Sequence, residues 1–246
     1  MAAASLPPQA GTLRLDLILG TLCDERLWSR LVPLLPARLV PRHVPLFKAR
    51  TRAQMQALIA ADTAPAAHIV AFSMGAYLAL EHTLAHPERV ASLVLISASA
   101  RGLPAAEKER RLRSMAVLER HAFAGTPPSQ LRNFVLPAHL EDPSIAGVIQ
   151  QMSLELGKDT MLAQFAASME RPDLMERLHE LRCPLMIVGA EQDAMVRADD
   201  LRAMAERVPG ARLEILDGSG HMVPLEAPAA LREVLVGFYG DVAAVA

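Results

Sequence analysis

The 246-residue chain has only two cysteines, Cys23 and Cys183. Two thiols cannot build a disulfide framework or, alone, a four-ligand zinc site, and their scarcity fits a reducing compartment. Lysine is almost as rare: Lys48, Lys108 and Lys158 are the only three, and arginine supplies the rest of the 25 basic residues. Against 27 acidic residues the formal net charge is −2. A broad nucleic-acid footprint would need a basic excess, and no long block of like charges suggests a charged tail. No apolar stretch approaches the roughly 18 residues needed to cross a bilayer. The opening Met-Ala-Ala-Ala-Ser-Leu-Pro-Pro lacks a basic start and an apolar run, so it does not read as a signal peptide. These absences point to a cytoplasmic protein with no nucleic-acid or membrane partner.

The chain does have apolar residues, at 52%, ample for a sizeable core and too many for a disordered chain. Runs of strand length recur at Leu13–Leu19, Ala67–Phe72, Val90–Ile96, Pro184–Val188 and Arg212–Leu216. They are unbroken rather than alternating, as strands buried on both faces of a parallel sheet should be. Val40–Val44 is a weaker sixth candidate because two prolines bound it. Between the runs lie helix candidates at Asp24–Leu35, Arg52–Ala61, Met74–His86, Ala198–Val208 and Pro228–Tyr239. Strand–helix alternation predicts a doubly wound, mostly parallel α/β sheet. The alternation breaks across residues 102–181, a mostly helical stretch interrupted by prolines and glycines. An insertion at that point sits over the C-terminal strand ends, where open sheets bind ligands. The expected organisation is therefore a core of residues 11–101 and 182–246, a helical cap over 102–181 and a flexible N-terminus over 1–10.

The stretch richest in chemistry is His68-Ile69-Val70-Ala71-Phe72-Ser73-Met74-Gly75. A buried strand runs into small-x-Ser-x-small and a helix follows at once, one residue away from the G-x-S-x-G nucleophile elbow. So sharp a turn strains the serine backbone and pushes its hydroxyl out of the sheet. Bulky side chains two residues to either side would collide with the neighbouring strand and helix. The plainer role for Ser73 is a helix N-cap. A serine nucleophile needs a base, and that base needs a carboxylate to orient it. His221 lies in Asp217-Gly218-Ser219-Gly220-His221 after one strand, and Asp193 lies in Gly189-Ala190-Glu191-Gln192-Asp193 after the strand before it. Glu191, Asp199, Asp200 and Asp217 compete for the acid role. His82 and His86 are four residues apart on a helix, but without an H-E-x-x-H pattern they read as surface histidines and not as a metal site.

Taken together, Leu19-Gly20-Thr21-Leu22-Cys23-Asp24, the elbow, Arg182-Cys183-Pro184 leading to Asp193, and Gly220-His221 followed by Pro224-Leu225-Glu226 resemble the α/β-hydrolase fold superfamily. The resemblance is to its small, single-domain esterase-like branch and covers nearly all of Leu13 to Tyr239. It implies the order Ser73, Asp193, His221 for a catalytic triad, with backbone N–H groups of Thr21 and Met74 as oxyanion donors and Leu22 as an alternative to Thr21. In some relatives the acid follows an earlier strand, but Ser97-Ala98-Ser99-Ala100 offers no carboxylate there, which favours Asp193. Leu19 stands where the family has His or Pro, a change that a backbone donor tolerates. The resemblance also implies a structural role for Glu226, no cofactor and no metal. The expected activity is hydrolysis of a small or medium apolar carboxylic ester, lactone or thioester through an acyl-enzyme. The alternatives are hydrolysis of C–C bonds in diketone-like acids and a non-catalytic small-molecule receptor.

Overall fold

The unbroken apolar runs are divided between two cores, one on each face of a sheet. The computed structural model describes residues 11–245, with side chains through 242; the expected flexible N-terminus over 1–10 lies outside the described residues. Six strands pair in parallel in the order β2-β1-β3-β4-β5-β6: β1 (Leu13–Ile18), β2 (Leu39–Val44), β3 (Ala67–Phe72), β4 (Val90–Ile96), β5 (Leu185–Ala190) and β6 (Arg212–Leu216). Successive side chains alternate faces. Ile69 and Ala71 of β3, Leu93 and Leu95 of β4, and Ile187 of β5 enter one core. Val70, Phe72, Val94, Ile96, Met186 and Val188 enter the other.

The helices are α1 (Arg52–Asp62), α2 (Met74–Ala85), α3 (Ala105–Arg120), α4 (Pro128–Leu131), α5 (Val148–Met169), α6 (Ala198–Ala205), α7 (Val223–Glu226) and α8 (Pro228–Val245). Helix α2 buries nearly every side chain, as befits a helix that is apolar all round. Between β4 and β5 the chain carries α3, α4 and α5 together with short 3₁₀ turns and a π-helical turn at Pro143–Gly147. Helix α5 faces inward, burying Ile149, Met152, Thr160, Gln164 and Ala167 among others. Helix α3 buries none of its side chains.

Two elements differ from expectation. The predicted helix Asp24–Leu35 is instead a pair of 3₁₀ turns, Glu25–Trp28 and Val32–Leu34. Asp24 caps the first by accepting from Arg26 N–H, and Pro33 has no N–H with which to continue a helix. Trp28 is nevertheless fully buried, as a core anchor should be. Conversely, β2 forms despite Pro41, because it is an edge strand with only β1 beside it, where a missing donor is tolerated.

The start of α2 packs against the loop leaving β1. A Cβ on Gly75 would lie 2.2 Å from the Leu19 carbonyl oxygen, a backbone atom with no room to move. Gly75→Ala is therefore expected to destabilise the fold by about 2 kcal/mol or more. Urea unfolding of the variant beside the wild type checks this; equal midpoints would refute the steric account.

Candidate active site

At the end of β3 the backbone turns sharply. Ser73 has φ 51° and ψ −119° and makes no side-chain capping bond to α2, so the N-cap role does not account for it. Its N–H donates to Ile96 O at 2.9 Å, which fastens the turn to β4. Left-handed backbone is unfavourable for a residue with a side chain and persists only where the surroundings enforce it. Among the described residues the other non-glycine positions with positive φ are Leu22 and Ser97. All three follow the C-terminal ends of adjacent central strands, β1, β3 and β4, so the strain is concentrated at one end of the sheet.

The loops after β5 and β6 bring two further side chains to the same place. His221 Nε2 lies 2.9 Å from Ser73 Oγ, and His221 Nδ1 lies 2.9 Å from Asp193 Oδ2. A carboxylate can only accept, so Nδ1 carries the proton and Nε2 is left to accept from the serine hydroxyl. The His221 and Asp193 side chains are only 4% and 1% exposed. Burial pushes the Asp193 carboxyl up, but the electrostatic and hydrogen-bond interactions with His221 and the Met195 and Val196 amides donating to Oδ1 together outweigh it and hold the carboxyl below the usual carboxylate range. The competing carboxylates are engaged elsewhere: Glu191 and Asp199 with Arg202, and Asp200 with Arg101. Asp217 is exposed.

Two networks position these loops. His221 N–H and Met222 N–H both donate to Phe134 O, at 2.8 and 3.1 Å. The buried Glu226 carboxylate accepts from the Gly220, Met222 and Leu136 amides and contacts His139 Nδ1 at 2.8 Å, a structural role of the kind expected for it. Phe134, Leu136 and His139 belong to the helical stretch between β4 and β5, so that stretch holds the histidine loop.

The loop after β1 is held by the same stretch. Leu22 N–H donates to Gln164 Oε1 at 2.8 Å, Asp24 N–H to Met152 Sδ at 3.5 Å, and Arg26 pairs with Glu155 at 2.6 Å. Because the Leu22 amide is committed to Gln164, of the two loop residues considered for the oxyanion role Thr21 is the one consistent with this arrangement. Gln164 was not singled out by sequence reasoning: a glutamine inside a helix carries no motif, and only its pairing with a residue 142 positions away reveals it.

Three other side chains with reactive or titratable groups take no part in this chain of contacts. Cys23 is buried, its thiol donates to Thr21 O, and burial pushes its pKa up to about 12, which marks a packing residue and not a nucleophile. His82 is not a surface histidine. It is buried on α2, 5.0 Å from the exposed His86 ring; α2 is a central helix buried almost all round, and its third turn still faces the core. Among the described residues no three metal-ligating side chains cluster, and no helix is long and apolar enough to cross a membrane.

The model of the Alpha/beta hydrolase family matches residues 18–234. The chain is 29% identical over 184 residues to the RutD protein of Azorhizobium caulinodans, to which carbamate hydrolysis is attributed; the match covers 72% of this chain and 67% of that protein. It is 27% identical over 168 residues to a 2-hydroxy-6-oxononadienedioate/2-hydroxy-6-oxononatrienedioate hydrolase of Burkholderia vietnamiensis, covering 65% of this chain and 57% of that one. In structure it is similar to an esterase from Thermogutta terrifontis, with a TM-score of 0.81 at 21% identity over 94% of this chain and 91% of that chain. At that identity the likeness shows the fold alone.

Burial, aided by the neighbouring His86 and Arg89 charges, lowers the His82 pKa from 6.5 to about 4. The folded value lies below the unfolded one, so neutral His82 contributes stability that is fully present above pH 6.5 and is lost as pH falls toward 4. Between pH 7 and pH 5 the wild type should lose about 2–4 °C more in Tm than His82→Leu does. Thermal unfolding of both proteins at the two pH values checks this, and parallel losses would refute it.

Proposed function

From a chain that belongs to the alpha/beta hydrolase family, we propose a serine hydrolase that cleaves a carboxylic ester or a related acyl compound. The observation that carries the reading is the continuous chain from Ser73 Oγ through the His221 ring to Asp193, with both contacts at 2.9 Å. An alkyl hydroxyl is a weak nucleophile at neutral pH. In this arrangement His221 Nε2 takes the Ser73 proton as Oγ attacks the carbonyl carbon, then returns it to the leaving group. Asp193 keeps the proton on Nδ1 and stabilises the imidazolium, and its depressed pKa keeps it ionised for that role. The carbonyl oxygen gains charge as the tetrahedral intermediate forms, and the Thr21 and Met74 amides are the proposed donors to it. Met74 opens α2, so the helix dipole favours negative charge there. Water activated by His221 then attacks the acyl-enzyme, releasing the acid and restoring Ser73. None of these steps calls for a metal or a cofactor. The segment 102–181 acts as a cap over the site, and its partly buried Phe134, Met161 and Phe165 support an acyl group of small or medium size.

A second reading, hydrolysis of a C–C bond in a diketone-like acid, is favoured by the likeness to the Burkholderia vietnamiensis hydrolase. The same triad chemistry serves different bonds.

Turnover of p-nitrophenyl esters of increasing acyl length separates these readings. Under the ester reading the wild type hydrolyses them, Ser73→Ala does not, and the preferred length sizes the acyl pocket. Asp193→Asn should remain folded and lose about 10⁴-fold in kcat. Equal rates for wild type and Ser73→Ala on every ester would overturn the ester reading and leave the C–C and receptor alternatives. Near-normal turnover by Asp193→Asn would move the acid role to another carboxylate.

A further inference from the structure

Gln164 is fully buried on α5, yet only one end of its amide is used. Leu22 N–H is a donor and can bond only to the amide oxygen, so the orientation of the amide is set. Nε2 is left with no hydrogen-bond partner among the described residues. Buried donors are nearly always paired, and an orphan calls for an explanation. Its surroundings supply one. Leu22 is two residues from Gly20, where a Cβ would lie 3.3 Å from Ser73 Cβ, so the loop that Gln164 grips runs alongside the nucleophile. Nε2 belongs to the same planar group as Oε1, which sits 2.8 Å from the Leu22 amide. The free donor therefore lies within a few ångströms of the loop whose Thr21 amide is the proposed oxyanion donor.

We infer that Gln164 is a specificity-determining residue whose Nε2 donates to a second oxygen of the substrate, close to the carbonyl that Ser73 attacks. The inference rests on the serine-hydrolase reading above and narrows its substrate class. The preferred acyl compound carries an ether, hydroxyl or keto oxygen a few bonds from the scissile carbonyl and is not a plain alkyl ester. A site that offers a buried donor discriminates against an analogue lacking the acceptor, because binding that analogue leaves the donor unpaired. Gln164 thus has two functions: Oε1 sets the loop and Nε2 reads the ligand.

Methyl methoxyacetate and methyl butyrate have equal chain length and differ by one ether oxygen in place of a methylene. Their affinities for Ser73→Ala, which retains Gln164 but lacks the proposed nucleophile, are measured by isothermal titration. The expected result is an affinity for methyl methoxyacetate about five- to tenfold tighter, the size of one buried hydrogen bond. Adding Gln164→Met should bring the ratio to about one. Should that variant fail to fold, Gln164→Glu, titrated at a pH above the pKa of its carboxyl so that the ionised group can only accept, keeps an acceptor for Leu22, removes the donor and should equally abolish the preference. Equal affinities for the two esters in Ser73→Ala, as expected if water completes Nε2, would overturn the inference. So would a preference that survives loss of the amide. Turnover of the same esters by the wild type is a separate reading: absence of Ser73-dependent hydrolysis would count against the serine-hydrolase mechanism, while the binding ratio would still decide the role of Gln164.

Discussion

The arrangement of this molecule depends on how closely two pieces of backbone approach. With no side chain at Gly75, the first turn of α2 meets the Leu19 carbonyl, and with none at Gly20 the loop after β1 meets the Phe72 ring, 2.7 Å from where a Cβ would stand. Each glycine lies on one side of the contact and makes room for the other side. The result brings the strained Ser73, the amide after it and the β1 loop to one end of the sheet. A methyl group on either side would push them apart, and the proposed oxyanion donors would no longer share a carbonyl oxygen.

Strain at that end is held by hydrogen bonds of two kinds. Ser73 N–H is held by Ile96 O and Ser97 N–H by Val188 O, in each case the backbone of the adjacent strand, at 2.9 Å. Those anchors belong to the sheet and are present whenever the sheet is. Leu22 lies four residues beyond β1, and its amide acceptor is a side chain, that of Gln164. Left-handed geometry at a residue such as Leu22 costs on the order of 1–3 kcal/mol, so the shape of this loop depends on an element outside the sheet. The nucleophile turn is thus intrinsic to the core, whereas the loop beside it is conditional on α5.

Much of this was legible in the sequence. The central strands could be read because their apolar runs are continuous, the consequence of burial on both faces. Ser73 and Asp193 could be read because each follows such a run and because the sterics of the elbow restrict its composition; His221 could be read from its Gly-Ser-Gly loop after β6, an edge strand whose Arg212 and Glu214 are exposed. What escaped had physical reasons. Asp24–Leu35 has helical periodicity, but Pro33 and the Asp24 cap divide it into 3₁₀ turns, and apolar spacing is blind to a missing N–H. His82 resembled a surface residue because α2 is buried almost all round, a property of where the helix sits and not of its own pattern. Gln164 and the Phe134 carbonyl act through partners 142 and 87 residues away, and no local signal encodes a contact of that kind.

Those distant contacts bear on how the helical stretch between β4 and β5 should be regarded. It reaches the candidate site at two points: Gln164 and Met152 hold the β1 loop, and Phe134, Leu136 and His139 hold the histidine loop, the last two through Glu226. A lid that merely excluded water could be altered without disturbing the residues beneath it. Here the stretch between β4 and β5 supplies hydrogen bonds that set the β1 and histidine loops in place. A substitution in it that reshapes the pocket therefore also acts on the loops bearing the proposed oxyanion donor and base. On the proposed reading, selectivity and rate should change together when Gln164 is varied, because the side chain proposed to read the ligand also holds the loop that bears the proposed oxyanion donor.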